Sequence, residues 1–257
     1  MECRYREDVT GMAEDIKLIA LDLDGTLVNH AGEVSEANAA AVKEAKEKGI
    51  HVVLSTGRSL SRCRNISEAL GRSSYIVTIN GGEIYNHDYE LVDQTKLDHS
   101  HVNRLWELKK EHGLYFWSST VQGLYNTQNP FDNEIEDYDW LKFGFDIEDD
   151  EVRQVILDEL QANDALEVTN SSPTNIEVNP VGVNKAAALL KVCQWLDLDM
   201  KNVMAVGDSM NDIAMIREAG LGVAMGNAQQ IVKDEASFVT TSNSEDGVAA
   251  AIKKVIE

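Results

Sequence analysis

Asp22 and Asp24 stand one residue apart in the segment DLDGT, directly after the apolar run 16–21. If the extended conformation of that run persists through them, both carboxylates project to the same side, where the preceding apolar residues limit water. Two anions held that close repel. A hard divalent cation relieves the repulsion, and Mg2+ is usually held this way, by one or two carboxylates with retained waters and a substrate phosphate. The alternative for this segment is a solvated Asp-Gly turn. A second acidic pair, Asp208 and Asp212, lies four residues apart in VGDSMND, across an expected junction of strand and helix. Asp208 and Ser209 could equally cap that helix while Asp212 favours its dipole. Thr56-Gly57-Arg58 offers a hydroxyl, backbone N–H groups and the start of a helix to an anion, or forms an ordinary turn. Lys185 opens a helix, where a cation opposes the dipole. A phosphate shared among Lys185, Thr56 and a metal would account for it, as would solvation at the surface.

The elements that must position these residues alternate. The run 16–21 is short, rich in branched residues and stopped by Asp-Gly, which suits a strand buried on both faces. Ser35 opens an amphipathic helix with Ala39, Val42 and Ala45 on one side and Gly49 as its stop. A strand over 50–56, a helix over 59–70 and a strand over 75–80 closed by Gly81-Gly82 follow. The pattern resumes late in the chain: strand-like NIEVNP, a helix over 184–196, the strand NVMAVGD, a helix over 211–219, a short strand around GVAM, a helix over 228–236, the strand FVTT and a last helix. This predicts an α/β fold, a Rossmann-like parallel sheet with helices on both faces. In such a sheet DLDGT, Thr56-Gly57-Arg58 and VGDSMND all sit at carboxyl ends of strands, where open α/β sheets place ligands.

Between the two halves the texture changes. Of 16 aromatic residues, 12 lie within 83–182, among them Trp106, Trp117 and Trp140, together with the acidic clusters DNEIEDYD and DIEDDE. The stretch 83–182 is therefore expected to be a separate α+β domain inserted into a core made of 1–82 and 183–257, with 1–15 a tail ahead of the first strand and Met12 an alternative start.

The chain carries 23 Lys+Arg against 44 Asp+Glu, a formal charge of −21 over 257 residues. That field repels nucleic-acid phosphates and anionic membrane surfaces, so neither is expected as a partner. It also opposes a phosphorylated substrate, so a site for one needs local positive potential from a metal, a lysine or backbone N–H groups. Cys3, Cys63 and Cys193 lack C-x-x-C spacing and are expected to be inert thiols. The charged N-terminal segment has no apolar core of a signal, and a cytoplasmic location is expected. His99 and His101 in DHSH are expected at the surface, since an oxygen-only site does not need them.

In order along the chain, Asp22-Leu23-Asp24-Gly25-Thr26, Thr56-Gly57-Arg58, Lys185 and Gly207-Asp208-Ser209-Met210-Asn211-Asp212 resemble the four motifs of the haloacid dehalogenase-like hydrolase superfamily. The TGR form of the second motif, Asn80-Gly81 after the third strand, and an insertion between the second and third motifs resemble the Cof-type phosphatases. The resemblance implies a Mg2+-dependent phosphatase for small phosphorylated metabolites, first of all sugar phosphates. Asp22 would attack phosphorus, and Asp24 would protonate the leaving alkoxide and then activate water. Asp22, the backbone carbonyl of Asp24 and Asp208 would hold the metal, with Asp212 steadying it from nearby. Thr56, Gly57, Lys185 and Asn211 would bind the phosphoryl oxygens. Arg58, Asn80 and Gly81 would border the substrate, and the inserted domain would close over the site and select the leaving group. One departure is Ala186, where these proteins often have glycine. A phosphomutase of the same superfamily and a non-enzymatic sensor of phosphorylated metabolites are the alternatives. Neither G-x-x-x-x-G-K-[ST] nor G-x-G-x-x-G after the first strand is present, which argues against a nucleotide-binding fold.

Overall fold

The computed structural model describes residues 15–257; Cys3, Met12 and nearly all of the expected tail lie outside the described residues. The first half of the large sheet follows in chain order as β1 (Leu18–Leu21), α1 (Glu36–Glu47), β2 (His51–Ser55), α2 (Leu60–Ala69) and β3 (Tyr75–Thr78). Ser35 caps α1 as expected, its side chain accepting from the Asn38 N–H at 3.1 Å. Next come β4 (Glu83–Asn86), β5 (Leu91–Gln94), α3 (His99–His112), β6 (Tyr115–Thr120), β7 (Leu124–Asn126), β8 (Trp140–Asp146), α4 (Asp150–Gln161), β9 (Leu166–Thr169) and β10 (Asn175–Pro180). The chain closes with α5 (Lys185–Trp195), β11 (Val203–Gly207), α6 (Ile213–Glu218), β12 (Leu221–Ala224), α7 (Gln230–Glu235), β13 (Phe238–Val239) and α8 (Gly247–Ile256).

Eight strands form one sheet in the order β13-β12-β11-β1-β2-β3-β4-β5. The six strands from β13 to β3 are parallel, as the alternation of strands and helices predicts. Period-two alternation along β1 divides the core between the two faces. Ile19 and Leu21 pack with Val42 of α1 and Ile252 of α8; Leu18 and Ala20 pack with Ala186, Leu189 and Val192 of α5. The methyl group of Ala186 thus fills the core beneath the sheet.

The insertion starts later than its composition suggests. β4 and β5 pair antiparallel onto β3 and extend the large sheet, because their tight turn at Asn86–Tyr89 returns the chain before it can leave. A second, five-stranded antiparallel sheet, β7-β6-β8-β10-β9, follows from residue 115. Phe116, Trp140, Phe143 and Phe145 join Ile176, Val178 and residues of α3 and α4 in a core of its own, which accounts for most of the aromatic enrichment. The residues between them in sequence, Trp117, Lys142, Gly144, Glu177 and Asn179, face the other way. Trp117 and Gly144 are direct cross-strand partners. A Cβ on Gly144 would lie 2.3 Å from the indole, so only glycine leaves the ring its place. Among the described residues, no helix is long and apolar enough to cross a membrane.

Candidate active site

Strand register decides which residues meet. Leu21 pairs with Leu54 on one side and Val206 on the other, so Asp22, Thr56 and Asp208 leave the sheet at one edge. The Asp22 N–H continues the ladder to the Val206 carbonyl at 3.1 Å. The strand itself stops at Leu21, however, and the chain turns, with Leu27 and Val28 N–H groups returning to the carbonyls of Asp22 and Leu23. Extended conformation therefore ends before Asp24, yet both carboxylates border the same cleft. Asp22 is 5% exposed, whereas the Asp24 side chain is 61% exposed and grips Arg58. Gly25 makes the turn possible: its φ is +79°, and a Cβ there would meet Asp208 Oδ2 at 2.4 Å.

Lys185, buried completely, donates from Nζ to Asp22 Oδ1 at 2.6 Å and to Asp212 Oδ1 at 2.7 Å. The partner that its place at a helix start requires is thus a carboxylate pair. Asp212 is equally buried, and its Oδ2 accepts the N–H groups of Asp208 and Ser209 at 2.9 and 3.0 Å. Both its oxygens are engaged by N–H donors, so it braces the loop and orients the lysine. Asp208 keeps more open valence, accepting among the described residues only hydroxyls, from Thr26 at 3.2 Å and Ser209 at 3.0 Å.

Asp22, Asp208 and Asp212 each offer an oxygen within 4.8 Å of the others. Fully ionised, three carboxylates against the single Lys185 ammonium leave a net charge of −2. The strain of that arrangement shows in the acid constants. Burial raises the Asp22 carboxyl well above its ordinary value; Lys185 pulls it back, and Asp212 and Asp208 add to the rise. Burial pushes Asp208 up to about 7, with Asp212 adding to it. Burial alone would lower the Lys185 ammonium, but Asp212 and Asp22 override it and raise it. A site of oxygen donors, short of positive charge and with lone pairs open on Asp22 and Asp208, fits a hard divalent cation. His99 is engaged elsewhere, at the Tyr138 carbonyl 2.9 Å away.

Thr56 is buried and its Oγ1 accepts the Arg58 N–H at 3.1 Å, which leaves the hydroxyl hydrogen free to donate. Arg58 donates from Nε and Nη2 to the two oxygens of Asp24, at 2.8 and 2.5 Å. A cleft of about 320 Å³ opens over these groups, with Asp22, Asp24, Gly57, Arg58, Asp208 and Asn211 on the large sheet's side and Trp117, Lys142 and Glu177 facing them. An adjoining recess of about 200 Å³ shares Arg58, Arg62 and Trp117 and reaches Tyr125 and Asn126. Asn80 and Gly81, expected to border the substrate, are set behind the lining of the cleft, as are Thr56, Lys185 and Asp212. Asn80 is 3% exposed and bonded to Glu177, and Gly81 abuts the carbonyl of Asn184, where a Cβ would approach to 2.6 Å.

The sequence profile of the haloacid dehalogenase-like hydrolases matches residues 19–252. The chain belongs to that family. Over 96% of this hydrolase and 97% of its relative, it is 54% identical to the 5-amino-6-(5-phospho-D-ribitylamino)uracil phosphatase YcsE of Bacillus subtilis. It is 29% identical to the phosphatase YwpJ of the same organism, over 94% and 100% of the two chains. Among solved structures, a haloacid dehalogenase-like hydrolase from B. subtilis superposes with a TM-score of 0.86 at 26% identity, covering 93% and 99% of the chains. The hydrolase is accordingly an enzyme of the phosphoric monoester class.

Several cleft residues of this hydrolase carry no motif. Lys142 and Glu177, from the polar face of the second sheet, form an ion pair of 3.2 Å with side chains 3% and 4% exposed. Burial alone would raise the Glu177 carboxyl, but Lys142, with hydrogen bonds from Ser171 and Asn80, holds it below its ordinary range. The available signal was one charged residue at an alternate position in each of two apolar strands, LKF and IEV. Of the two described thiols, burial pushes Cys63 up to about 12 and Cys193 up to about 11, out of the reactive range.

Proposed function

We propose that this hydrolase is a Mg2+-dependent phosphatase working through an aspartyl phosphate on Asp22, and that its substrate is 5-amino-6-(5-phospho-D-ribitylamino)uracil or a close relative with a phosphorylated polyol chain. The observation that carries the chemistry is Asp22 at the cleft with one oxygen bound to Lys185 and Asp208 beside it. The substrate rests on the 54% identity, end to end, to a phosphatase named for that compound. This narrows the expectation of sugar phosphates to a polyol bearing a heterocycle.

Lys185 holds Oδ1 of Asp22, and Oδ2 accepts no hydrogen bond among the described residues. That oxygen attacks phosphorus, the bond to the leaving oxygen breaks, and Asp24 gives its proton to that oxygen. Asp24, now a carboxylate, then takes a proton from water; the water oxygen attacks phosphorus, and the bond to Asp22 breaks to release inorganic phosphate. For Asp24 to carry that proton its two-oxygen contact with Arg58 must open, since a carboxylate gripped by a guanidinium at both oxygens is held ionised. The third N–H of Lys185, the Thr56 hydroxyl, the Gly57 N–H and the Asn211 amide hold the phosphoryl oxygens, where positioning and charge do most of the work. Asp22, Asp208 and the Asp24 carbonyl would hold Mg2+, with Asp212 behind them; when bound, the ion neutralises the crowded carboxylates and the charge on the phosphoryl group. The second sheet, facing the cleft with Trp117, would select the leaving group.

Phosphate release from 5-amino-6-(5-phospho-D-ribitylamino)uracil, sugar phosphates, nucleotides and p-nitrophenyl phosphate tests this, with Mg2+, with chelator and with Asp22→Asn. The reading expects turnover that requires both Mg2+ and Asp22, fastest on the ribityl compound. Another substrate at the head of the panel would refute the substrate assignment, and isomer conversion without free phosphate would identify a mutase.

A further inference from the structure

The buried Lys142–Glu177 pair joins the two sheets at the cleft, and its bonding partners indicate why. Desolvation offsets most of the attraction within such a pair, so stability alone does not explain it. Lys142 Nζ also donates to the Gly57 carbonyl at 2.9 Å. Glu177 Oε2 accepts from Asn80 Nδ2 at 2.5 Å, and Oε1 accepts from Ser171 Oγ at 2.5 Å. An ionised carboxylate only accepts, so Asn80 must turn its NH2 toward Glu177 and its carbonyl oxygen away. That oxygen receives Asn211 Nδ2 at 3.3 Å. Asn211 is thereby held in one orientation, since the flipped amide would set two carbonyl oxygens against each other. It is held there although its own Oδ1 is buried and accepts no hydrogen bond among the described residues. Asn80 itself sits at φ 58°, in the left-handed region. Two more contacts bind the same edges: the Asn211 N–H donates to the Asn170 carbonyl at 3.1 Å, and Asn179 Nδ2 to the Ile79 carbonyl at 3.1 Å.

We propose that Glu177 and Lys142 are positioning residues for phosphoryl transfer: Glu177 sets the Asn211 amide through Asn80, Lys142 sets the Gly57 loop, and contact between the two sheets thereby completes the phosphate-binding edge. The proposal rests on the reading of Gly57 and Asn211 as phosphoryl contacts. It separates these residues from leaving-group selection, because the phosphoryl group is common to all substrates.

The test compares wild type, Glu177→Gln and the double variant Glu177→Gln/Lys142→Met on p-nitrophenyl phosphate and on the ribityl substrate, with the inhibition constant of inorganic phosphate and the melting temperature of each. Lys142 donates to the same Oε2 as Asn80, so in Glu177→Gln the glutamine keeps its oxygen there and the melting temperature carries most of the change; in the double variant the glutamine can present its NH2 to Asn80 and release the chain of orientations. In the double variant kcat/KM is expected to fall by the same factor on both substrates, about ten- to a hundredfold, with weaker inhibition by phosphate. There no ammonium is left buried without its carboxylate, so the melting temperature should rise above that of Glu177→Gln while the rate falls below it. Wild-type rates in the double variant, a loss confined to the ribityl substrate, or a rate that follows the melting temperature would each overturn the proposal. Wild-type protein that releases no phosphate from either compound would overturn the phosphatase reading, and this proposal with it.

Discussion

Neutralising Asp208 should make the metal-free protein more stable, although it removes a residue proposed to hold the metal. Burial and the Asp212 charge raise its carboxyl from an ordinary 3.8 to about 7. Between those values the folded protein binds a proton that the unfolded chain does not, so the free energy of unfolding falls as pH rises across that window. The penalty is absent below about pH 4, grows through neutrality and is complete above about pH 7. Roughly three pH units at about 1.4 kcal/mol each give about 4 kcal/mol as the upper end. Asp22 shifts in the same direction, so the metal-free wild type loses stability as pH rises from about 4 through about 7.

Asp208→Asn preserves both local hydrogen bonds, since its carbonyl oxygen can accept from Thr26 and its NH2 can donate to Ser209. In chelator at about pH 8 the variant is expected to gain about 2–4 kcal/mol, or about 4–16 °C in melting temperature for a chain of this size. At about pH 5 the gain should be much smaller. Mg2+ should stabilise wild type more at the higher pH, where it no longer competes with protons, and this response should vanish in the variant. Circular-dichroism melts at both pH values, with Mg2+ and with chelator, provide the comparison. A variant no more stable than wild type at the higher pH in chelator would refute the charge-crowding argument.

Three further outcomes follow from the same geometry. Lys185→Met leaves Asp22 and Asp212 buried without their cation; phosphatase kcat should fall at least about a thousandfold and stability by about 3–5 kcal/mol near neutral pH, measured by denaturant titration. Asp24→Asn should still transfer phosphate from p-nitrophenyl phosphate, whose leaving group needs no proton, yet fail to activate water, so mass spectrometry should find a phosphoryl group retained on Asp22; an unmodified protein after incubation would count against the Asp24 role. Gly144→Ala places a Cβ 2.3 Å from the Trp117 ring, so the indole should move toward the cleft and raise KM for the ribityl substrate more than for p-nitrophenyl phosphate; equal changes in both would exclude Trp117 from leaving-group contact.

The parallel sheet was legible because its signals are local and agree with one another. Branched runs ending in Asp-Gly or Gly-Gly, helices opened by Ser35 and closed by Gly49, and the return of the alternation after Gly182 each restrict the backbone within a few residues. Once the strands are parallel, the register carries Asp22, Thr56 and Asp208 to one edge without further information. The start of the insertion was not legible, since β4 and β5 belong to the large sheet by pairing, while their composition, with Tyr85 and Tyr89, matches the aromatic stretch that follows. Nor could the alternation of Asp22 and Asp24 be trusted past Leu21, because the turn through Gly25 depends on space beside Asp208, a residue more than 180 positions away.

Lys142 and Glu177 mark a different kind of limit. Read along their strands, each is the polar member of an alternating pattern, and such a position ordinarily faces water. Only the docking of that polar face over the edge of the large sheet turns two solvated charges into a buried pair with side chains 3% and 4% exposed. The same docking buries Asn80 between Glu177 and Asn211. Charge at an alternate strand position is therefore ambiguous until the opposite surface is known. Here that surface is the acidic edge itself, where an additional buried carboxylate would worsen the repulsion already present among Asp22, Asp208 and Asp212. The ammonium of Lys142 resolves this locally, so that Glu177 can orient Asn80 as a fixed acceptor without adding net charge to the site.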